Sequence, residues 1–181
     1  MHIQTNILHF LHPWWTRKGF SLPEGFAEIT SPYYPLQARD MVVSKGVMVL
    51  RGPEAMGFPE VSPYITNTVT QAAIRRSAWQ AEYPLAPEDI KEMGSRIRAL
   101  LLVAAHEKQD TLITGAYGCG AFRNPPKGVA GLFFIQVVDL AMQGVWLPDI
   151  VFAIAGSAEA DEQAREEFRD MTRKYNAWVN S

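Results

Sequence analysis

The residue types best suited to chemistry lie together in one stretch, Leu112-Ile113-Thr114-Gly115-Ala116-Tyr117-Gly118-Cys119-Gly120-Ala121-Phe122-Arg123-Asn124-Pro125-Pro126. Three of its residues, Gly115, Gly118 and Gly120, are glycines. Without Cβ atoms the backbone can turn sharply and approach a bound group closely. Successive free N–H groups can then face an anion. A helix starting at Pro125 or Pro126 adds further free donors and the positive end of its dipole. This combination suits a diphosphate. Tyr117 and Phe122 have the ring chemistry to stack on a ribose or a base, and Arg123 can add charge. Glycine-rich connections between a strand and a helix also occur as simple tight turns, and composition alone leaves the two readings level. Two aromatics inside a loop tilt the balance toward binding.

The elements around this stretch must place it. Pro87-Glu88-Asp89 has the features of a helix start, with proline at the first position and acids in the first turn. Ile90, Met93, Ile97, Leu100, Leu101 and Ala104 follow at helical spacing. Thr111–Gly115 reads as a short strand. A helix follows from Pro125 or Pro126 to about Met142, then a strand of buried type over Asp149–Ala155. Ala158–Trp178 reads as a last helix with Phe168, Met171, Tyr175 and Trp178 on one face. Alternating helices and strands predict an α/β fold whose mixed, mainly parallel sheet is covered on both sides, a three-layer α/β/α arrangement. Ligands of such sheets bind beyond the carboxyl ends of the strands, where the glycine loop would lie.

Upstream the pattern is less regular. Met41-Val42-Val43 and Val47-Met48-Val49-Leu50 read as short strands flanking a turn at Lys45-Gly46, Arg51–Pro63 as loop, and Tyr64–Thr70 as a buried strand. Residues 1–35 are rich in aromatics and punctuated by Pro13, Pro23, Pro32 and Pro35, with no clear period. They predict an irregular N-terminal arm preceding a core over residues 36–181.

Bulk properties narrow the classes. At 181 residues the chain suits one domain with an extra arm, and 48% apolar against 20% charged residues argues against disorder throughout. A net charge of −2 without a run of five like charges excludes broad nucleic-acid binding, though not a small anion site. Cys119 is the one cysteine, so no intramolecular disulfide is implied. The N-terminus lacks the basic region of a secretion signal, and Leu132–Met142, the longest apolar run, is too short to span a membrane. The expectation is a soluble, cytoplasmic protein.

Other candidates are weaker. His9 and His12 are close in sequence, but no second Cys/His cluster accompanies them, so no metal is expected. Cys119, just before a helix start, has a setting that can lower a thiol pKa, and a nucleophilic role would need His106 beside it. The simpler expectation is a small residue filling tight space. Asn67, among Thr66, Thr68 and Thr70, either ends a strand near a ligand or satisfies local hydrogen bonds. Arg75 and Arg76 can reach a phosphate, but exposed helix arginines are commoner.

The stretch Gly115–Pro126, followed by Val129-Ala130 and Phe133, resembles the signature of the microbial-type poly(ADP-ribose) glycohydrolases, whose loop typically reads Gly-Ala-Trp-Gly-Cys-Gly-Val/Ala-Phe-Gly/Arg-Asn. Asp40–Arg51, Arg96-Ile97, Ala104-Ala105-His106 and Phe152-Ala153-Ile154 are similar to further family segments, so the resemblance covers roughly residues 33–178. It implies a macrodomain-like fold, with Gly115, Ala116, Tyr117, Gly118, Cys119, Gly120, Ala121, Phe122, Arg123 and Asn124 as the ADP-ribose-binding set; Asn67, from its place at a strand end, joins these candidates, and no cofactor is expected. It also implies that Cys119 is not a nucleophile. The family's catalytic Gly-Gly-Gly and Gln-Glu-Glu segments have no counterpart in this sequence, and Glu24 and Glu28 do not reproduce them. Gln71-Ala72-Ala73-Ile74 stands where the family has Ala-Ala-Pro-Asn.

Three functions remain open from the sequence. The first is a module that binds ADP-ribose or a signalling nucleotide derived from it without cleaving it: a reader, sensor or sponge, with phage defence as one setting. The second is a divergent ADP-ribosyl glycohydrolase using an acid such as Glu24 or Glu28. The third is an interaction module whose aromatic arm, with Trp14, Trp15, Phe20 and Phe26, joins copies into a homo-oligomer.

Overall fold

A computed structural model describes residues 40–52, 56, 57, 59–154, 156 and 159–180. The expected arm over residues 1–35, with His9, His12, Glu24 and Glu28, lies outside them. The chain forms two compact units that meet between Ala72 and Ala73.

The first unit contributes a long antiparallel hairpin, β1 (Met41–Arg51) and β2 (Glu60–Gln71). β-Branched residues crowd both strands, which suits a pleated, partly buried surface. The expected turn at Lys45-Gly46 is instead an irregularity inside one continuous strand. The register passes from Ser44↔Thr68 to Val47↔Thr66, and Gly46 adopts φ +68°. The extra residue needs a left-handed backbone, which glycine provides without Cβ strain, as in a β-bulge. The expected loop over Arg51–Pro63 is also shorter than its prolines suggested. Arg51 closes β1, and β2 begins at Glu60 with Pro63 inside it. Pro63 is exposed at an irregularity of the pairing, where the register passes from Val49↔Tyr64 to Arg51↔Glu60, a position that tolerates a missing N–H.

The second unit follows the expected order: α1 (Pro87–His106), β3 (Thr111–Thr114), α2 (Pro126–Met142), β4 (Asp149–Phe152) and α3 (Glu159–Val179). β3 and β4 pair in parallel from Thr111↔Asp149 to Thr114↔Phe152, with α2 as the crossover. Helix α2 packs against both α1 and α3, which explains why its sequence is apolar nearly all round. Its Phe133 meets Phe152 of β4 edge-on with centroids 5.1 Å apart, and Phe168 of α3 at 6.0 Å. Met93, Ile97, Leu101, Val129 and Leu140 complete the fully enclosed core.

Three expected core positions differ. Ile90 precedes the buried stripe of α1 and is 45% exposed. β4 is not enclosed on both faces: Phe152 faces the aromatic core, whereas Val151 is 47% exposed on the other side of the pleat. Trp178 in the last turn of α3 is largely exposed and touches Tyr175, while Phe168 and Met171 supply the burial. Arg98 of α1 forms an ion pair with Asp139 of α2, fixing the two helices at their polar margin. No helix among the described residues is long and apolar enough to cross a membrane.

Phe133 joins helix to helix and helix to sheet, so Phe133→Ala should lower unfolding stability by about 3–5 kcal/mol. Ile90→Ala should change it by about 0.5 kcal/mol or less, as at a surface site. Urea unfolding of the two variants measures both.

Candidate functional site

The second unit presents the glycine loop beyond the carboxyl end of β3. The ladder extends one step past the strand, with Ala153 N–H donating to Thr114 O at 2.7 Å, and the chain then leaves the sheet at Gly115. Two tight turns follow, closed by Cys119 N–H to Ala116 O and Arg123 N–H to Gly120 O, each 2.9 Å. Gly118 has φ +75° and Arg123 φ +59°. For Gly118 the conformation and the space both demand glycine. A Cβ there would lie 2.5 Å from Asn124 Nδ2 and 2.6 Å from Ala73 Cβ. A Cβ on Gly120 would meet nothing within 4 Å.

Asn124 holds this shape. Its side chain is buried at 2% exposure, and Nδ2 donates to Ile74 O at 2.7 Å and Gly118 O at 3.0 Å. Its own N–H also donates to Gly118 O, at 3.1 Å. The side chain therefore ties both ends of the loop to the segment following β2. Its Oδ1 is enclosed and accepts no hydrogen bond.

The loop leaves donors free. Among the described residues, the N–H groups of Gly118, Gly120, Ala121 and Phe122 donate to no protein acceptor. Helix α2 starts at Pro126 with Pro125 as its N-cap and no capping side chain, so its first-turn donors are also uncapped. Gly120 and Ala121 are exposed and Gly118 and Phe122 half-buried, so these donors are open to solvent beside a helix start, a geometry compatible with an anionic acceptor.

Tyr117 is half-buried, and its hydroxyl hydrogen-bonds to Arg96 of α1. Burial outweighs the lowering charge and hydrogen bond of Arg96, and the phenol is raised to about 12. Arg96, itself buried, is paired through Nε with Glu92 Oε1 at 3.1 Å. The chain Glu92–Arg96–Tyr117 thus fixes the loop from the helix side. Phe122 is half-buried and Arg123 exposed.

Cys119 corrects one expectation. The lowered thiol pKa anticipated from the nearby helix start does not hold, because burial pushes the thiol up to about 12. Its Sγ lies 3.9 Å from Tyr117 O. The ring of His106 instead sits beside Glu107, and its side chain is 84% exposed. Cys119 is half-buried in the loop.

Asn67 belongs to the hairpin, where its Oδ1 accepts from Gly46 N–H at 3.0 Å across the bulge. The local hydrogen bond is the one of its two expected roles that is observed. Arg75 and Arg76 are not on a helix. Arg75 is exposed; Arg76 is buried at 3% exposure against the loop. The Arg76 N–H donates to Phe122 O at 3.0 Å, Nη1 to Arg123 O at 3.5 Å, and Nη2 to Tyr83 O at 2.9 Å and Pro84 O at 3.1 Å. No hydrophobic period marks an arginine in an irregular connection, so sequence reading undervalued it. No group of three or more potential metal ligands occurs among the described residues. An open cleft of about 620 Å³ lies between β4 and α3, with Ile150, Phe152, Arg165 and Arg169 in its wall and no residue of the glycine loop.

Solved structures share this architecture. Poly(ADP-ribose) glycohydrolase from Deinococcus radiodurans, in complex with ADP-ribose, matches with a TM-score of 0.60 and 27% identity, over 74% of this chain and 52% of that one. The apo form of that enzyme gives 0.57 and 26%, over 75% and 54%. Poly(ADP-ribose) glycohydrolase from Thermomonospora curvata gives 0.58 and 25%, over 72% and 46%. The described fold is poly(ADP-ribose) glycohydrolase-like and macrodomain-like. The chain spans about half the length of these solved proteins. No family sequence model and no curated protein sequence matches it.

Two outcomes follow from the loop geometry. Gly118→Ala should destabilise by more than the roughly 1–2 kcal/mol of a left-handed Cβ alone, because Asn124 and Ala73 must also move. Gly120→Ala should be close to neutral; thermal melts compare them. Native Cys119 should resist iodoacetamide at pH 8 and react once the chain is unfolded. Between its ordinary value of 9.0 and its folded value of about 12, the unfolded thiol ionises first, so its contribution to stability is lost as pH rises through that window.

Proposed function

We propose that this protein binds ADP-ribose, or a signalling nucleotide built from it, with the diphosphate held by the Gly115–Asn124 loop. The observation that carries the reading is the set of open N–H groups on Gly118, Gly120, Ala121 and Phe122, beside the uncapped start of α2. Diphosphate oxygens accept several hydrogen bonds and carry charge, and they bind well where backbone donors converge near a helix dipole. Gly115, Ala116, Tyr117, Cys119, Arg123 and Asn124 shape or border that cradle. The relatives' ADP-ribose complexes support the same ligand class.

The reading extends to binding without hydrolysis, as a reader, sensor or sponge. Hydrolysis of a ribose bond needs an acid within hydrogen-bond reach of the reacting centre. The loop and the side chains that hold it, Tyr117, Arg96, Arg76 and Asn124, include one carboxylate partner, Glu92, which is engaged by Arg96. The sequence also contains neither Gly-Gly-Gly nor Gln-Glu-Glu.

Isothermal titration with ADP-ribose tests the reading. Saturable binding by the wild type is expected, with loss of binding in Gly120→Glu, which places a bulky anion over the open donors without a clash at Cβ. Gly118→Glu serves as the disruptive control. Absence of binding to ADP-ribose and its cyclic or conjugated derivatives overturns the nucleotide reading. Release of free ADP-ribose from poly(ADP-ribose) or ADP-ribosylated protein overturns the non-hydrolytic part alone.

A further inference from the structure

Arg76 carries a charge that the described protein does not balance. Its side chain is buried at 3% exposure, and every hydrogen bond it makes goes to a backbone carbonyl. Its Nε is enclosed and has no partner. The arginines on the helices of the second unit have carboxylate partners: Arg96 with Glu92, Arg98 with Asp139, Arg165 with Glu162, Arg169 with Glu162 and Glu166, and Arg173 with Glu166 and Asp170. Arg75 and Arg123 form no ion pair among the described residues but are exposed, where water solvates the charge. Burying an ionised group without a counter-charge is costly, and such groups are normally paired.

The position of this charge gives it a purpose. Arg76 is bonded to the loop at Phe122 O and Arg123 O, next to the open donors of Gly120, Ala121 and Phe122. The second enclosed orphan atom of this unit, Asn124 Oδ1, lies at the same end of the loop. A carbonyl-bound guanidinium cannot swing away as an exposed arginine can, so its field stays fixed on the loop. Arg123 is exposed and free to be screened by solvent.

We infer that Arg76 is the charge-determining residue of the anion site: the ligand's phosphate groups supply the counter-charge that its buried guanidinium lacks, and this selects phosphate-bearing ligands over neutral nucleosides. The inference rests on the diphosphate reading of the loop. Arg76 acts as a positioning residue through Phe122 and Arg123, and electrostatically through its charge.

The test compares wild type, Arg76→Met and, as a control, Arg173→Met at an exposed arginine of α3, by titration with ADP-ribose at several salt concentrations. Arg76→Met should weaken binding by about tenfold or more and flatten its salt dependence. Arg173→Met should change affinity by about threefold or less. A purely structural arginine would weaken binding equally at all salt concentrations, and that result overturns the inference, as does wild-type affinity in folded Arg76→Met. Where Arg76→Met does not fold, the Arg76 Nε–H resonance of the wild type decides: it should shift on saturation with inorganic pyrophosphate, and an unmoved signal overturns the inference. Where the wild type ignores ADP-ribose but binds pyrophosphate in an Arg76-dependent way, the anion site stands and the nucleotide assignment falls. Binding of neither overturns both.

Discussion

The candidate site depends on one side-chain amide. Asn124 reaches back across the loop to Gly118 O and across to Ile74 O, and it does so from a fully buried position. A loop with three glycines has large conformational freedom, and ordering it costs entropy. Two hydrogen bonds in a water-free setting offset that cost because breaking them would strand buried groups. The approach of Asn124 also leaves no room for a side chain at Gly118. The sharp backbone path and the carboxamide that holds it therefore require each other.

Around that amide the loop is gripped from two sides by cations used differently. On the helix side, Arg96 is neutralised by Glu92 and turns to the Tyr117 hydroxyl, so it gives position without net charge. On the connection side, Arg76 holds carbonyls and keeps its charge. The loop is thereby held from both sides, while the N–H groups of Gly118, Gly120, Ala121 and Phe122 have no protein acceptor among the described residues. That is the arrangement electrostatic binding asks for, since donors that are already aligned lose little entropy when an anion arrives.

The frame beneath is a βαβ unit with aromatic packing. Phe133, Phe152 and Phe168 meet at centroid distances of 4.6–6.0 Å, joining α2, β4 and α3. Burial of that cluster fixes where α2 begins, and so where the loop must end. The chemistry sits on a connection whose two ends belong to the best-packed elements of the unit.

Much of this was legible in the sequence. Helical spacing located α1, α2 and α3, because amphipathic burial imposes a period on side chains. Glycines and prolines located the loop, because only special backbone geometry calls for them there. Both signals are local, written in neighbouring residues. The tertiary structure decided what depends on distant partners. Lys45-Gly46 became a bulge because strand pairing with β2 continued past it. The Cys119 thiol is held protonated because burial outweighs the nearby helix start. Tyr117 found Arg96 and Asn124 found Ile74, fifty positions away. Arg76 in particular looks like any arginine in the chain until folding buries it against the loop. Burial, charge balance and long-range hydrogen bonding are properties of the folded ensemble of neighbours, and no local pattern encodes them.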